Sequence, residues 1–102
     1  MALINIGSIL QASLRAFAKT PPGGGVVLSS YKRNRKIALL KKEADRCILR
    51  EDGYITEEME LQTTSLEKEL RSRIKREFPR SRKVRLYRFT DETELNLTYQ
   101  KI

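Results

Sequence analysis

The sequence contains no histidine, no tryptophan and only one cysteine, Cys47. Without histidine the chain lacks the commonest general base and the commonest transition-metal ligand, and every Ser-His or Cys-His nucleophile arrangement is excluded. One cysteine cannot form an intrachain disulfide or a zinc site built from several thiolates, which is typical of a reducing compartment. We therefore expect a non-enzymatic intracellular protein of the cytoplasm or nucleus, with no cofactor and no bound metal.

Long apolar runs are also missing, since none approaches the ~20 residues that would span a bilayer. Residues 1–19 are apolar enough to be compared with a targeting segment. A secretory signal carries its positive charge before the apolar stretch, whereas Arg15 and Lys19 lie late in this one. We expect the segment to belong to the mature protein.

Acidic residues are absent from the first 42 positions, and the first of them is Glu43. Of the 21 basic residues, eight precede Glu43, whereas the other 13 follow it together with all 13 acidic residues. The net charge of +8 is therefore concentrated in the N-terminal part of the chain. Such a distribution predicts a localised surface for a polyanion, either nucleic acid or an anionic membrane, although a merely solvated charged face is the competing interpretation.

The length of 102 residues corresponds to about one domain. Within it, apolar side chains recur every three or four residues near the N-terminus, which predicts a helix over residues 2–18. The residues of this apolar stripe are Leu3, Ile6, Leu10, Leu14 and Phe17. A Pro/Gly-rich linker over 20–25 would separate the segment 1–19 from a small α+β domain over 26–102. Because such a tethered helix can exchange between protomers, we expect a homodimer.

Two further helices and a hairpin complete the predicted α+β fold. The spacing of Ile37, Leu40, Ala44, Cys47 and Ile48 predicts a helix over 32–51. A capping box over 64–67 and apolar residues at intervals of four predict another over 65–78. Residues 83–90 and 93–101 form the predicted C-terminal antiparallel hairpin. Residues 26–31 and 54–62 are candidates for an additional strand.

The first candidate site is a basic cluster on the predicted second helix. Lysine and arginine neutralise phosphates with little sequence selectivity, and a preceding tyrosine can stack on an unpaired base. The residues are Tyr31, Lys32, Arg33, Arg35, Lys36, Lys41 and Lys42. They predict a phosphate-directed, weakly sequence-selective nucleic-acid-binding protein, with RNA and DNA both open.

A second basic cluster, interleaved with aromatic residues, lies near the C-terminus. Aromatic rings and arginines on a strand can form an RNA platform. The glycines of the usual RNA-recognition signature are missing, however, and acidic residues follow, so we favour a structural role. The residues are Arg80, Arg82, Lys83, Arg85, Tyr87, Arg88 and Phe89.

The alternative function is that of an adaptor or peripheral membrane protein, such as an accessory protein of a virus or mobile element. The apolar stripe of the N-terminal helix would then engage lipid or a protein partner, and the basic cluster would add attraction to anionic lipid. The competing interpretation is that the same stripe packs in the core of the chain or against a second subunit.

Overall fold

In the computed structural model, which describes residues 2–30, 32, 34–53 and 55–90, six strands form one antiparallel sheet and two helices pack on one of its faces. The strands are Ala2–Asn5 (β1), Gly25–Ser29 (β2), Lys36–Lys41 (β3), Arg46–Asp52 (β4), Thr56–Gln62 (β5) and Lys83–Phe89 (β6). The helices are Ile9–Ala18 (α1) and Leu66–Glu77 (α2), and a 3-10 turn over Thr63–Ser65 precedes α2.

The sheet places β6 between β1 and β2, in the order β1-β6-β2-β3-β4-β5. Ala2 lies opposite Leu86, and Gly25 lies opposite Phe89. The beginning of the chain and residues 83–89 are therefore neighbours in space. Because β2 and β6 are antiparallel neighbours, the β2–β3 turn and the α2–β6 loop lie at the same end of the sheet.

The main core lies between the helices and the sheet. Strand side chains alternate between the two faces, so every second residue of the central strands points toward the helices. The buried residues of this core are Ile9, Phe17, Val26, Leu28, Ile37, Leu39, Cys47, Leu49, Leu66, Leu70, Ile74, Phe78 and Val84. A smaller cluster on the opposite face contains Val27, Ala38, Leu40 and Phe89.

The predicted arrangement of three helices and a C-terminal hairpin is wrong, because the chain is mostly β. The predicted helix over 2–18 is a strand at Ala2–Asn5 followed by a helix that begins only at Ile9. The predicted helix over 32–51 is the pair of strands β3 and β4. The apolar residues 37–40 are buried on both faces of a central strand, and such a short run has no period that distinguishes a strand from a helix.

Other predicted elements agree with the structure. The helix predicted over 65–78 is α2, and the two candidate strands over 26–31 and 54–62 are β2 and β5. The first strand of the predicted hairpin is β6, but it pairs with β1 and β2. The second hairpin strand, predicted over 93–101, lies outside the described residues.

The glycine-rich stretch over 20–25 is a tightly packed turn and the start of β2. Both Gly24 and Gly25 are buried, and a Cβ atom on Gly25 would lie 1.7 Å from the carbonyl oxygen of Leu39 on the neighbouring strand. The backbone nitrogen of Gly23 donates to the carbonyl of Lys41 at 2.7 Å. Glycine is therefore required at position 25 because β2 and β3 approach too closely for a side chain. Residues 2–18 share one sheet and one core with the rest of the described chain.

Candidate functional site

A basic cleft of about 580 Å³ opens at the end of the sheet where the β2–β3 turn and the α2–β6 loop meet. One wall comes from the turn, the other wall comes from the loop and the start of β6, and β1 contributes one apolar residue. We define the basic cleft by its lining residues, which are Leu3, Ser30, Lys32, Asn34, Arg35, Arg80, Ser81, Arg82 and Lys83.

Hydrogen bonds within the β2–β3 turn hold the first wall in place. The backbone nitrogen of Ser30 donates to the carbonyl of Arg35 at 2.9 Å, which closes the turn. The hydroxyl of Ser30 donates to the Asn34 side-chain oxygen at 2.9 Å and accepts from the backbone nitrogen of Arg35 at 3.3 Å. The hydrogen bonds between Ser30 and Arg35 thus close the turn, and Lys32 within it is an exposed cation.

The second wall begins where α2 ends. Pro79 lacks a backbone donor, so the helix does not continue past Phe78. The loop that follows is attached to the sheet by a hydrogen bond from the Ile6 backbone nitrogen to the Arg82 carbonyl at 2.8 Å. This bond uses the backbone of Arg82, and the side chains of Arg80 and Arg82 are both exposed.

The two walls are also joined to each other. Arg35 Nη1 donates to the carbonyl oxygen of Glu77, the last residue of α2, at 3.3 Å. A cation at this position favourably meets the negative end of the helix dipole. The turn is therefore fixed against the helix end, and the basic cleft is a shaped concavity between two anchored segments.

The basic cleft is strongly electropositive. Five of the described residues that line it are lysine or arginine, and no acidic residue is among them. Like charges facing one concavity focus a positive potential there and attract anions. Phosphate is one of the anions that such groups bind, because the arginine fork matches its oxygens and lysine adds a compact positive charge.

The structure divides the first predicted basic cluster. Lys32 and Arg35 line the basic cleft, and Lys36 begins β3 close by, opposite Asp52. Tyr31 and Arg33 lie outside the described residues. Of the described residues in this cluster, only Lys32 and Arg35 line the basic cleft.

Lys41 lies at the other end of β3, about 17 Å away from Lys36 at the usual rise per residue of a strand, and Lys42 follows it. The Lys41 ammonium group donates to the carbonyl of Thr20 at 2.6 Å and lies 4.9 Å from the centre of the Phe17 ring. Lys42 is exposed in the β3–β4 turn. A helix would have kept these residues near Lys36, whereas a strand carries them to the opposite end of the sheet.

The sequence did not predict that Arg80, Arg82 and Lys83 lie beside the first basic cluster. They belong to the second basic cluster, for which a structural role was favoured, yet they line the same concavity as Lys32. The available signal was the run of arginines directly after Pro79, a helix terminator. In the same cluster Phe89 is buried in the small apolar cluster on the sheet face away from the helices.

The predicted apolar stripe of the N-terminal helix is also divided. Leu3 is on β1 with 42% of its surface exposed, at the edge of the basic cleft. Phe17 is buried in the main core, and Ile6, Leu10 and Leu14 pack against that core as partly buried residues. Most of the stripe therefore contacts the rest of its own chain.

A buried ion-pair network, separate from the basic cleft, joins α2 to β4. Glu51 is fully buried and accepts hydrogen bonds from Arg76, from Nε at 2.8 Å and from Nη2. Arg73 Nε lies 3.7 Å from the same carboxylate. Burial alone would raise the pKa of Glu51, but its hydrogen bonds with Arg76 and Glu77 and the charges of Arg76 and Arg73 outweigh it and lower that pKa. These groups neutralise one another, which indicates a structural role.

Reactive groups are scarce in the part of the chain that the structure describes. Cys47 is buried, and burial raises the pKa of its thiol to about 11, so it is a protonated small hydrophobe at neutral pH. Among the described residues, no cluster of three or more cysteine or acidic side chains is arranged to hold a metal ion.

No helix in the described ranges is both long and apolar enough to cross a membrane. Comparisons with protein-family profiles, curated proteins and solved structures found no match to this chain.

Proposed function

We propose that this chain is a non-enzymatic nucleic-acid-binding protein that contacts phosphate groups through the basic cleft. The observation that carries the proposal is the convergence of five cations, from two distant parts of the sequence, on one concavity whose described lining holds no acidic residue. The proposal includes an intracellular location, where nucleic acid is available, and binding with little sequence selectivity, because contacts to phosphate carry no sequence information.

The arrangement of the cations supports ligand binding over simple solubility. Charges that only solvate a surface are spread out or paired, as Arg46 and Arg50 are with Glu60 and Glu58 on the neighbouring strand. Arg80 and Arg82 instead lie exposed beside other cations. Repulsion among them costs free energy that a bound polyanion would relieve.

The alternative of a membrane or adaptor protein that acts through the N-terminal helix has less support. That function needs an outward-facing apolar helix, whereas Ile9 and Phe17 of α1 are buried in the main core. A homodimer stays a prediction from the sequence.

The test compares two double variants that remove the same charge at different places. Arg80→Ala/Arg82→Ala removes two cations of the basic cleft, and Arg46→Ala/Arg50→Ala removes two paired cations of β4. We expect the cleft variant to lose about tenfold or more in affinity for a labelled oligonucleotide at low salt, measured by fluorescence anisotropy. The β4 variant should bind nearly as well as the unmodified protein. Equal losses in both variants would contradict a localised site.

A further inference from the structure

We propose that the basic cleft takes a single strand of nucleic acid in preference to a duplex, an inference that rests on the proposed function. The position of the cations, the volume of the cleft and its uncharged groups all favour a single strand.

The cations come from two segments of the chain that meet at the cleft. Lys32 and Arg35 belong to the β2–β3 turn, and Arg80 and Arg82 belong to the α2–β6 loop. A single phosphate backbone inside the cleft can be contacted by cations of both segments. A duplex presents its phosphates on a convex surface, which a flat or protruding basic element matches better than a small concavity does.

The β2–β3 turn is not a free ribbon that could enter the major groove. Two-stranded ribbons read duplex DNA by inserting into that groove, which is about 12 Å wide. Here the turn is held against the end of α2 by the hydrogen bond from Arg35 to Glu77. The α2–β6 loop, which lines the same cleft, would have to enter the groove with it.

The volume of the cleft, about 580 Å³, lies in the range of sites for small ligands, about 300–1,000 Å³. A few linked nucleotide groups are ligands on this scale. A double helix is too wide to be enclosed by a cleft of this volume.

The cleft also contains groups that can contact unpaired bases and are not required for binding phosphate. Leu3 is one of two large hydrophobic residues that are exposed in the described part of the chain. Guanidinium planes, such as those of Arg80 and Arg82, can stack on base faces. The side-chain oxygen of Asn34 accepts from Ser30, so its amide group is left to donate to a base edge. In a duplex these base faces and edges are paired and stacked.

The test measures affinity of the unmodified protein for a short single-stranded oligonucleotide and for the duplex formed with its complement, at one salt concentration. A surface that recognises only negative charge would bind the duplex more tightly, because the charge density of the duplex is higher. We expect the single strand to bind about tenfold more tightly. Leu3→Ala, checked for folding by its unfolding transition, should lower single-strand affinity by roughly fivefold through lost apolar contact and leave duplex binding nearly unchanged.

The outcomes separate this inference from the proposed function. Equal or tighter binding of the duplex, with loss of both ligands in Arg80→Ala/Arg82→Ala, would overturn the preference for a single strand and leave the proposed function standing. Failure of the protein to bind either form at low salt would overturn both.

Discussion

Lys41 stabilises the C-terminal end of α1. Its ammonium group contacts the carbonyls of Ala18 and Thr20, at 3.4 Å and 2.6 Å, and packs over the Phe17 ring. Both the end of a helix dipole and an aromatic face favour a cation. Lys32, by contrast, is exposed at the basic cleft and has no such role in the described structure.

This difference predicts opposite phenotypes for two lysines of one basic run. Lys41→Met should lower the free energy of unfolding by about 1 kcal/mol and leave oligonucleotide affinity nearly unchanged. Lys32→Met should weaken oligonucleotide binding several-fold and leave stability within about 0.5 kcal/mol. Urea denaturation and anisotropy titration of both variants test the pair. Weakened binding in Lys41→Met alone would show that the functional cations lie at the other end of β3.

Gly25 is a second residue whose role is set by its neighbours. A methyl group there would collide with the backbone of Leu39, and neither β2 nor β3 can move without disturbing the centre of the sheet. We expect Gly25→Ala to lower the free energy of unfolding by about 3 kcal/mol or more. Gly7→Ala is the matched control, because a Cβ atom at Gly7 meets nothing within 4 Å. Similar urea midpoints for the two variants would contradict the packing described for β2.

At the scale of elements, α2 is attached to the sheet by charge as well as by apolar packing. Glu51 on β4 is bound by Arg76 and approached by Arg73 from the helix. Breaking a buried, charged hydrogen-bond pair costs about 2–3 kcal/mol. We therefore expect Glu51→Gln to destabilise the protein by that amount at neutral pH. Glu67→Gln, which alters an exposed pair with Arg71, should cost less than about 1 kcal/mol.

The same carboxylate predicts a pH dependence of stability. The folded state holds the pKa of Glu51 below its ordinary value of 4.5, so the unfolded chain takes up the proton first as the pH falls. The stabilisation is complete above pH 4.5 and is lost as the pH falls through the folded-state pKa. Urea midpoints measured from neutral pH downward should therefore fall more steeply for the unmodified protein than for Glu51→Gln. Parallel curves would contradict the ionised state of Glu51 in the fold.

Local signals in the sequence are sufficient to predict only some of the helices and strands. The helix α2 has a regular apolar stripe and is followed by Pro79, and both signals are local to the element. The capping box predicted over 64–67 does not form, because the N-cap residue is Ser65 and its side chain makes no capping hydrogen bond. The strand β3 has no such local marker, because Ile37 to Leu40 are apolar in every position and its strand form depends on partners on both sides. The pairing of β1 with β6 joins residues about 80 positions apart, which no local pattern reveals.

At the scale of the whole molecule, the same long-range pairing creates the site. The excess of positive charge before Glu43 predicts a binding surface that includes Lys32 and Arg35, and both residues line the basic cleft. The second half of the cleft was not recognised, because the later arginines are balanced by acids along the chain. In space the acids of β5 lie at the far edge of the sheet from β1, so they do not line the basic cleft.

The most direct test of the account is the salt dependence of oligonucleotide binding in the two double variants. For single strands, the slope of log affinity against log salt changes by about 0.7 for each phosphate contact. If the basic cleft is the phosphate-binding site, Arg80→Ala/Arg82→Ala should reduce the magnitude of this slope by about 1.4, two such contacts. Arg46→Ala/Arg50→Ala should keep the slope of the unmodified protein. An unchanged slope in the cleft variant, or an equal reduction in the β4 variant, would contradict the central claim that this chain binds nucleic acid through the basic cleft.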